Sequence, residues 1–249
     1  YIMKIFQRLK GRFNMKDFEK LQKLIDETDN IVFFGGAGVS TPSGIKDFRS
    51  KDGLYSVIGK NAEYMLSSEF FYIDPRNFYF FYKDNMNFTD KQPNIIHKYL
   101  TKLERKGKLK AIITQNIDGL HQKSGSKNVF EIHGTINENH CLKCNRKYNA
   151  SYIFSSKDVP KCTCGGIIKP NVVLYGERLP DIFDDAINLI LQADLLIVAG
   201  TSLKVEPASS LVKLFKKKLV IINNEKTPYD FLATLVINND LEYIFKNLK

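Results

Sequence analysis

The stretch FFGGAGVSTPSGIKDFRS, residues 33–50, runs from an apolar burst into glycines and closes on Asp47-Phe48-Arg49. A buried strand that breaks into Gly36, Ala37 and Gly38 can turn backbone N–H groups and a helix N-terminus toward a pyrophosphate, as open α/β sheets do. The dinucleotide pattern G-x-G-x-x-G is met only in part, because Thr41 occupies the third glycine position. No second strand ends in an acidic residue about 20 positions on, which an ordinary dehydrogenase requires. The P-loop pattern also fails, for want of a Gly-Lys-Ser/Thr triplet. Alone, the glycines support a nucleotide loop or a plain tight turn, and they disfavour hydride transfer.

Outward from this stretch, short apolar runs rich in branched residues recur: LKAIITQN (109–116), NVFEIHG (128–134), DLLIVAGTS (194–202), KLVIINN (218–224) and TLVIN (234–238). Strands buried on both faces read this way. Helical periodicity lies between several of them. KDFEKLQKLIDE (16–27) places Phe18, Leu21, Leu24 and Ile25 on one face. PDIFDDAINLILQA (180–193) is a second helix, with Asp181 as N-cap and Ile182, Ile187, Ile190 and Leu191 apolar, and EPASSLVKLFKK (206–217) is a third. The alternation predicts an α/β, doubly wound, mostly parallel sheet of Rossmann type. Residues 49–92, aromatic and without a clear strand, and residues 138–169, which hold all the cysteines, break the alternation. They are read as a helical insertion and a cysteine module forming one small domain. The large domain then comprises 14–48, 93–137 and 170–249, after a basic extension at 1–13.

Ligands of open α/β sheets collect at the carboxyl ends of the strands. Those ends read Gln115-Asn116-Ile117-Asp118, His133-Gly134, Gly200-Thr201-Ser202 and Asn223-Asn224. Amides, one carboxylate, one imidazole and small hydroxyls suit a nucleotide and a reaction needing a single base. Gly38-x-Ser40 is no nucleophile elbow, since Pro42 replaces the second glycine. His121 is read as fixing its own turn, and His97 as packing or surface.

Cys141-x-x-Cys144, 17 residues, then Cys162-x-Cys164 followed by Gly165-Gly166 has zinc-ribbon spacing. Two turn-borne thiolate pairs can meet a tetrahedral ion at about 2.3 Å, and a closed four-sulfur site is structural. The alternative is free or disulfide-bonded thiols. His140 is superfluous as a ligand.

The composition, 43% hydrophobic and 26% charged over 249 residues, is that of one globular α/β domain with room for an insertion. The formal charge of +10 gathers in Lys4, Arg8, Lys10, Arg12 and Lys16, and again in Lys213, Lys216, Lys217 and Lys218. Such runs are read as solvated faces, and nucleic acid is disfavoured as a partner because no recognition module flanks them. There is no signal-peptide-like start and no run near the roughly 20 apolar residues of a membrane span. With its clustered cysteines the chain is expected to be a soluble, cytoplasmic monomer.

The blocks GAGVSTPSGIKDFR, TQNIDGLH, EIHGT, the four-cysteine module, KPNVVLYGE, AGTSL and IIN stand in the order found in the sirtuins, the NAD-dependent protein-lysine deacylases. The chain resembles that family over residues 14–249. The resemblance implies a Rossmann-type domain, a small domain of zinc ribbon and helical module, and NAD and an acyl-lysine peptide meeting between them. It implies that Gly36, Ala37 and Gly38 hold the pyrophosphate, that Ser40 also belongs to the cofactor site, and that Asp47, Phe48 and Arg49 lie on a loop closing over the nicotinamide ribose. Gln115, Asn116 and Asp118 would line the ribose and nicotinamide pocket, and Gly200, Thr201, Ser202 and Asn223 would take phosphates and adenosine ribose. Val172, Val173, Leu174, Tyr175, Gly176 and Glu177 would form one side of the peptide groove, opposite Leu203 and Val205. His133 would be the general base, with Asn116 and Asp118 beside it.

The implied reaction begins with attack of the acyl oxygen on the nicotinamide ribose carbon as nicotinamide leaves. His133 then activates a ribose hydroxyl, and water completes release of lysine and O-acyl-ADP-ribose. Lys46 stands where the family usually has Pro, which would loosen the loop at 47–49, and Gly35 stands where Thr is common, with little expected consequence. The acid-preferring members' Tyr-x-x-Arg is absent from Tyr79-Phe80-Phe81-Tyr82, so acetyl or longer apolar acyl groups are expected. The alternatives are mono-ADP-ribosyl transfer or NAD hydrolysis on the same scaffold, and a non-catalytic NAD sensor or zinc-ribbon nucleic-acid binder.

Overall fold

The computed structural model describes residues 15–48, 53 and 59–249. Arg49, the extension 1–13 and parts of the helical insertion lie outside the described residues. The strands are β1 (Ile31–Gly35), β2 (Leu109–Thr114), β3 (Val129–Glu131), β4 (Gly134–Cys141), β5 (Lys147–Asn149), β6 (Ile168–Val172), β7 (Leu195–Ala199), β8 (Lys218–Ile222) and β9 (Leu235–Ile237). The helices are α1 (Met15–Asp26), α2 (Ala62–Met65), α3 (Ser68–Ile73), α4 (Pro75–Asn85), α5 (Ile95–Arg105), α6 (Leu120–Lys123), α7 (Ala150–Ser155), α8 (Ile182–Gln192), α9 (Leu211–Leu214) and α10 (Leu241–Asn247).

Six strands form one sheet in the order β3-β2-β1-β7-β8-β9, and every pairing is parallel. The chain winds outward from β1 in one direction and from β7 in the other. The connections that follow β1 and β7 run to opposite faces of the sheet, and such a switch point places a ligand crevice at the strands' carboxyl ends. Alternation within β1 shows why its sequence is apolar throughout. Phe33 faces the layer of α1, α5 and α10, where it meets Leu21, Ile96 and Phe245. Val32 and Phe34 face the layer of α8 and α9, with Ala186, Ile190 and Leu211. Burial on both faces demands this run.

The remaining strands form an antiparallel sheet, β5-β4-β6. It shares one apolar cluster with the aromatic insertion, in which Phe71, Phe78, Tyr79 and Tyr82 meet Ile153, Ile168, Cys141 and Cys162. Tyr82 stacks on Phe154 with ring centroids 5.8 Å apart and planes 6° from parallel. The insertion is broken into short helices by its own caps. Ser67 accepts from Phe70 N at 3.1 Å, and Asp74, just before Pro75, accepts from Asn77 N at 3.1 Å.

Three expectations change. EPASSLVKLFKK forms only a 3₁₀ turn at Ala208–Ser210 and the single turn of α9. Asp181 occupies the N-cap position of α8 but makes no side-chain cap bond, and Leu191 is half-exposed because Ala186, Ile190 and Ala193 take the sheet-facing row. Gly35 is not incidental. A Cβ there would lie 2.7 Å from the Phe33 ring, so the packing of Phe33 leaves no room for a threonine. Among the described residues, no helix is long and apolar enough to cross a membrane.

Candidate active site

The loop after β1 is tied to the loop after β7. Gly36 N donates to Ala199 O at 3.2 Å and Gly38 N to Gly200 O at 2.8 Å. A Cβ on Gly38 would lie 2.8 Å from Gly200 Cα, a backbone atom that cannot step aside, which explains glycine at both positions. The helix expected after the glycines is instead two 3₁₀ turns, Ala37–Val39 and Thr41–Ser43. Pro42 contributes no N–H, and Gly44, at φ 80°, ends the second turn.

The loop after β2 crosses this one. Asn116 Nδ2 donates to Gly36 O and to Ser40 Oγ, both at 3.1 Å. Ser40 Oγ donates to Asp118 Oδ2 at 2.7 Å, and Leu120 N donates to Asp118 Oδ1 at 2.9 Å. Ser40, Asn116 and Asp118 thus form one continuous chain of hydrogen bonds. Burial raises the Asp118 pKa, while the bonds from Leu120 and Ser40 oppose the rise. Thr201 Oγ1 donates to Gln115 Oε1 at 3.0 Å, and the Gln115 amide nitrogen has no partner among the described residues. A buried amide donor left open at the cleft wall is what a bound amide or ribose would satisfy.

His133 sits in the turn between β3 and β4. Its Nδ1 lies 3.1 Å from Gln115 O. A carbonyl only accepts, so Nδ1 carries the hydrogen and Nε2 keeps its lone pair. Burial lowers the His133 pKa, and the Gln115 bond opposes that effect.

These groups line one cavity of about 910 Å³. Ala37, Gly38, Ser40, Asp47 and Phe48 contribute from the first loop, and Gln115, Asn116, Asp118 and His133 from the next two. Gly200, Thr201, Ser202 and Asn223 contribute from beyond β7 and β8, and Val172 to Glu177 and Val205 line it as well. Two expected residues stand apart. Gly36 lies behind the lining, packed on Thr201. Leu203, at φ 52°, turns its side chain into the apolar cluster with Ala208 and Leu211 and is 2% exposed.

The cavity also has walls that sequence reading passed over. Leu66, Tyr82, Met86 and Phe88 from the aromatic insertion, with Ile117, give it an apolar region. Asp240 and Glu242 line it beyond β9, a strand end that the carboxyl-end rule already covers. His121 does not fix its turn through its ring. The imidazole is buried against Phe33 and His97, and its nitrogens find no partner among the described residues.

The four cysteine sulfurs lie within 4.8 Å of one another, with Cys141–Cys164 and Cys144–Cys162 each 3.5 Å apart, and no disulfide joins them. Tetrahedral bonds of about 2.3 Å put neighbouring sulfurs about 3.8 Å apart, so the set fits Zn²⁺.

The Sir2 family model matches residues 36–207. An NAD-dependent protein deacetylase of Clostridium tetani (strain Massachusetts / E88) is 51% identical over 230 residues, spanning 90% of this chain and 93% of its own. A solved Sir2 structure with a deacetylated p53 peptide and 3'-O-acetyl ADP ribose has a TM-score of 0.86 at 42% identity, covering 92% of this chain and 96% of that one. Another, Sir2 with p53 peptide and NAD+, has a TM-score of 0.83 at 41% identity, with coverage of 94% and 96%. Family model, sequence identity and structural similarity agree, and the chain belongs to the Sir2 family.

Proposed function

We propose that this protein is an NAD-dependent protein-lysine deacylase. The observation that carries the reading is the His133 ring, fixed by Gln115 O in the same cavity as the Ser40–Asn116–Asp118 chain. Ala37, Gly38, Ser40, Gln115, Asn116, Asp118, Gly200, Thr201, Ser202 and Asn223 would hold NAD, with Gly36 shaping the loop from behind. Asp47, Phe48 and Arg49 belong to the loop proposed to close over it. Bound NAD supplies the ribose carbon that accepts the acyl oxygen and the hydroxyls to which the acyl group passes.

His133 Nε2 takes the proton from a ribose hydroxyl, and the Nδ1–H bond to Gln115 keeps that nitrogen available as base. Asp118, held by Ser40 and Leu120 N, keeps a fixed partial or full negative charge at the sugar and orients Asn116. Phe48 keeps water from the reacting carbon. The segment 172–177 and Val205 hold the peptide as an added strand, whose backbone pairing, with little sequence demand, falls to groups other than the amides of residues 173–175, which bond within the chain. Leu203 contributes backbone there and not its side chain.

Residues 14–48, 93–137 and 170–249 are read as the large lobe, and 49–92 with 138–169 as the small one. Cys141, Cys144, Cys162 and Cys164 would hold Zn²⁺, which cross-links the small lobe and takes no part in the chemistry. Among the described residues the apolar walls come from Leu66, Tyr82, Met86 and Phe88, and the lining cations, Lys46, Arg178 and Lys204, belong to other segments. A succinyl carboxylate buried among those apolar walls would be unpaired, at a cost of several kcal/mol, so acetyl and longer apolar acyl groups are the substrates. Four cysteines gathered as metal ligands and not as disulfides support a reducing compartment such as the cytoplasm, and the protein is read as a monomer with acyl-lysine proteins and not nucleic acid as partners.

Nicotinamide release with and without acetyl-, butanoyl- and succinyl-lysine peptides tests this. Peptide-dependent release with O-acyl-ADP-ribose as product, fastest for the neutral chains, is expected. Release of free ADP-ribose without peptide would instead make the protein an NAD hydrolase, and ADP-ribosylated protein would make it a transferase.

A further inference from the structure

We propose that the buried Lys169–Glu177 ion pair is a positioning device that sets the shape of the peptide-binding segment 172–177. The inference rests on the deacylase reading, in which that segment receives the substrate. Lysine is almost never this deeply buried unless it is paired, and Lys169 is 7% exposed. Its ammonium has three donors, and three acceptors surround it: Pro170 O at 3.3 Å, Val172 O at 3.2 Å and Glu177 Oε2 at 3.0 Å.

The location gives the pair its purpose. β6 leaves its sheet at Val172, where Val173 N donates to His133 O at 2.9 Å. Beyond this point the chain has no ladder to follow, yet its backbone groups still need partners. The Lys169 ammonium satisfies Val172 O. The same Glu177 oxygen that meets Lys169 accepts from Leu174 N at 2.9 Å, and Glu177 N donates to Leu174 O at 2.9 Å. Gly176, at φ 89°, completes the turn. Tyr175 N donates to Leu66 O, and Ser68 N to Tyr175 O, each at 3.0 Å. The amides of Val173, Leu174 and Tyr175 are thus all turned inward, onto His133, Glu177 and Leu66 in succession. Only the middle one relies on a side chain, and that side chain is held by Lys169.

The pair also meets the cysteine module, because Ile168, the neighbour of Lys169, stands opposite Cys141, and Lys169 stands opposite His140. By contrast, the bonds that lace the NAD loops join residues 36–40 to 115–118 and to 199–201, and none of them passes through Lys169 or Glu177. Loss of the pair therefore disturbs one substrate and spares the other.

The test uses the full chain with Lys169→Met, Lys169→Arg and Glu177→Gln variants. Steady-state titrations give KM for an acetyl-lysine peptide and for NAD, and anisotropy of a fluorescent acetyl-lysine peptide gives Kd without turnover. Lys169→Met is expected to raise peptide KM and Kd by about tenfold or more while NAD KM stays within about twofold, and Lys169→Arg, which keeps the charge, should restore most of the loss. If Lys169→Met does not fold, Glu177→Gln is read in its place. It keeps an acceptor for Leu174 N without the charge, and peptide KM should rise by about three- to tenfold. Unchanged peptide KM and Kd in a folded variant would overturn the proposal, as would a parallel rise in NAD KM, which is what general loss of structure produces. Wild-type protein that neither binds nor consumes the peptide would overturn the deacylase reading itself.

Discussion

The Nδ1 of His133 lies 3.1 Å from the backbone carbonyl oxygen of Gln115, so the end of β2 dictates which nitrogen of a ring after β3 is basic. A general base must be neutral, and activity is lost as pH falls through its pKa. Burial, the larger influence, depresses that pKa below the ordinary value of about 6.5. The plateau of kcat/KM against pH should therefore extend below about pH 6.5, and an acid limb centred above it would contradict the assignment. His133→Ala should lower kcat by about 100- to 10,000-fold while NAD still binds.

Asp118 is expected to trade stability for function. Its carboxyl pKa is raised in the folded protein, so the folded state holds the proton more tightly than the unfolded chain does. Stability then falls as pH rises through the folded pKa, and the ionised form is a cost at neutral pH. Asp118→Asn should leave the melting temperature at pH 7 unchanged or raise it by a few degrees, about 1 kcal/mol. The same variant should reduce kcat/KM for NAD by about 100-fold or more. A clear drop in melting temperature would count against this account of the carboxylate.

The four-sulfur cluster should carry one zinc ion per chain, measured by elemental analysis of purified protein. Cys141 and Cys162 belong to the apolar cluster of Phe71 and Tyr79, so losing the metal also loosens that packing. Cys162→Ser should abolish stoichiometric zinc and cost several kcal/mol in thermal unfolding. A zinc-free protein with wild-type melting would refute a structural role.

Two neighbouring tyrosines should respond oppositely to loss of their hydroxyls. Tyr79 Oη donates to Ile168 O, whereas the buried Tyr82 Oη has no partner among the described residues. Tyr79→Phe should destabilise by about 1–3 kcal/mol, because it strands a buried carbonyl. Tyr82→Phe should be neutral or stabilising by about 1 kcal/mol. Chemical denaturation of both variants decides it, and equal losses would sink the distinction.

Much of this was legible in the chain itself, for physical reasons that also mark the limit. β1, β2, β7 and β8 are buried on both faces, so their apolar runs announce them, and a parallel sheet collects its ligands at strand ends that can be read off directly. Asn116, Asp118, His133 and Thr201, which line the cavity together, stand at or just beyond such ends. Leu203 turns away from the cavity because its backbone is left-handed, at φ 52°, and nothing in Thr-Ser-Leu-Lys signals that turn. The helix read in EPASSLVKLFKK and the cap read at Asp181 rested on local preference, which tertiary packing overrides. Leu66, Met86 and Phe88 were hidden among equally apolar neighbours, since burial in a core and exposure to a cavity demand the same residue type.

The strand order has a consequence for how the molecule comes to exist. β1 lies between β2 and β7, so one whole edge of an early-made, wholly apolar strand waits for residues 195–199 to emerge from the ribosome. Gly38 and Gly200, which close on each other, are likewise separated by most of the polypeptide. A chain made from its N-terminus thus exposes that apolar edge until β7 is available, and the crevice between the two loops cannot close before residue 200 has been added.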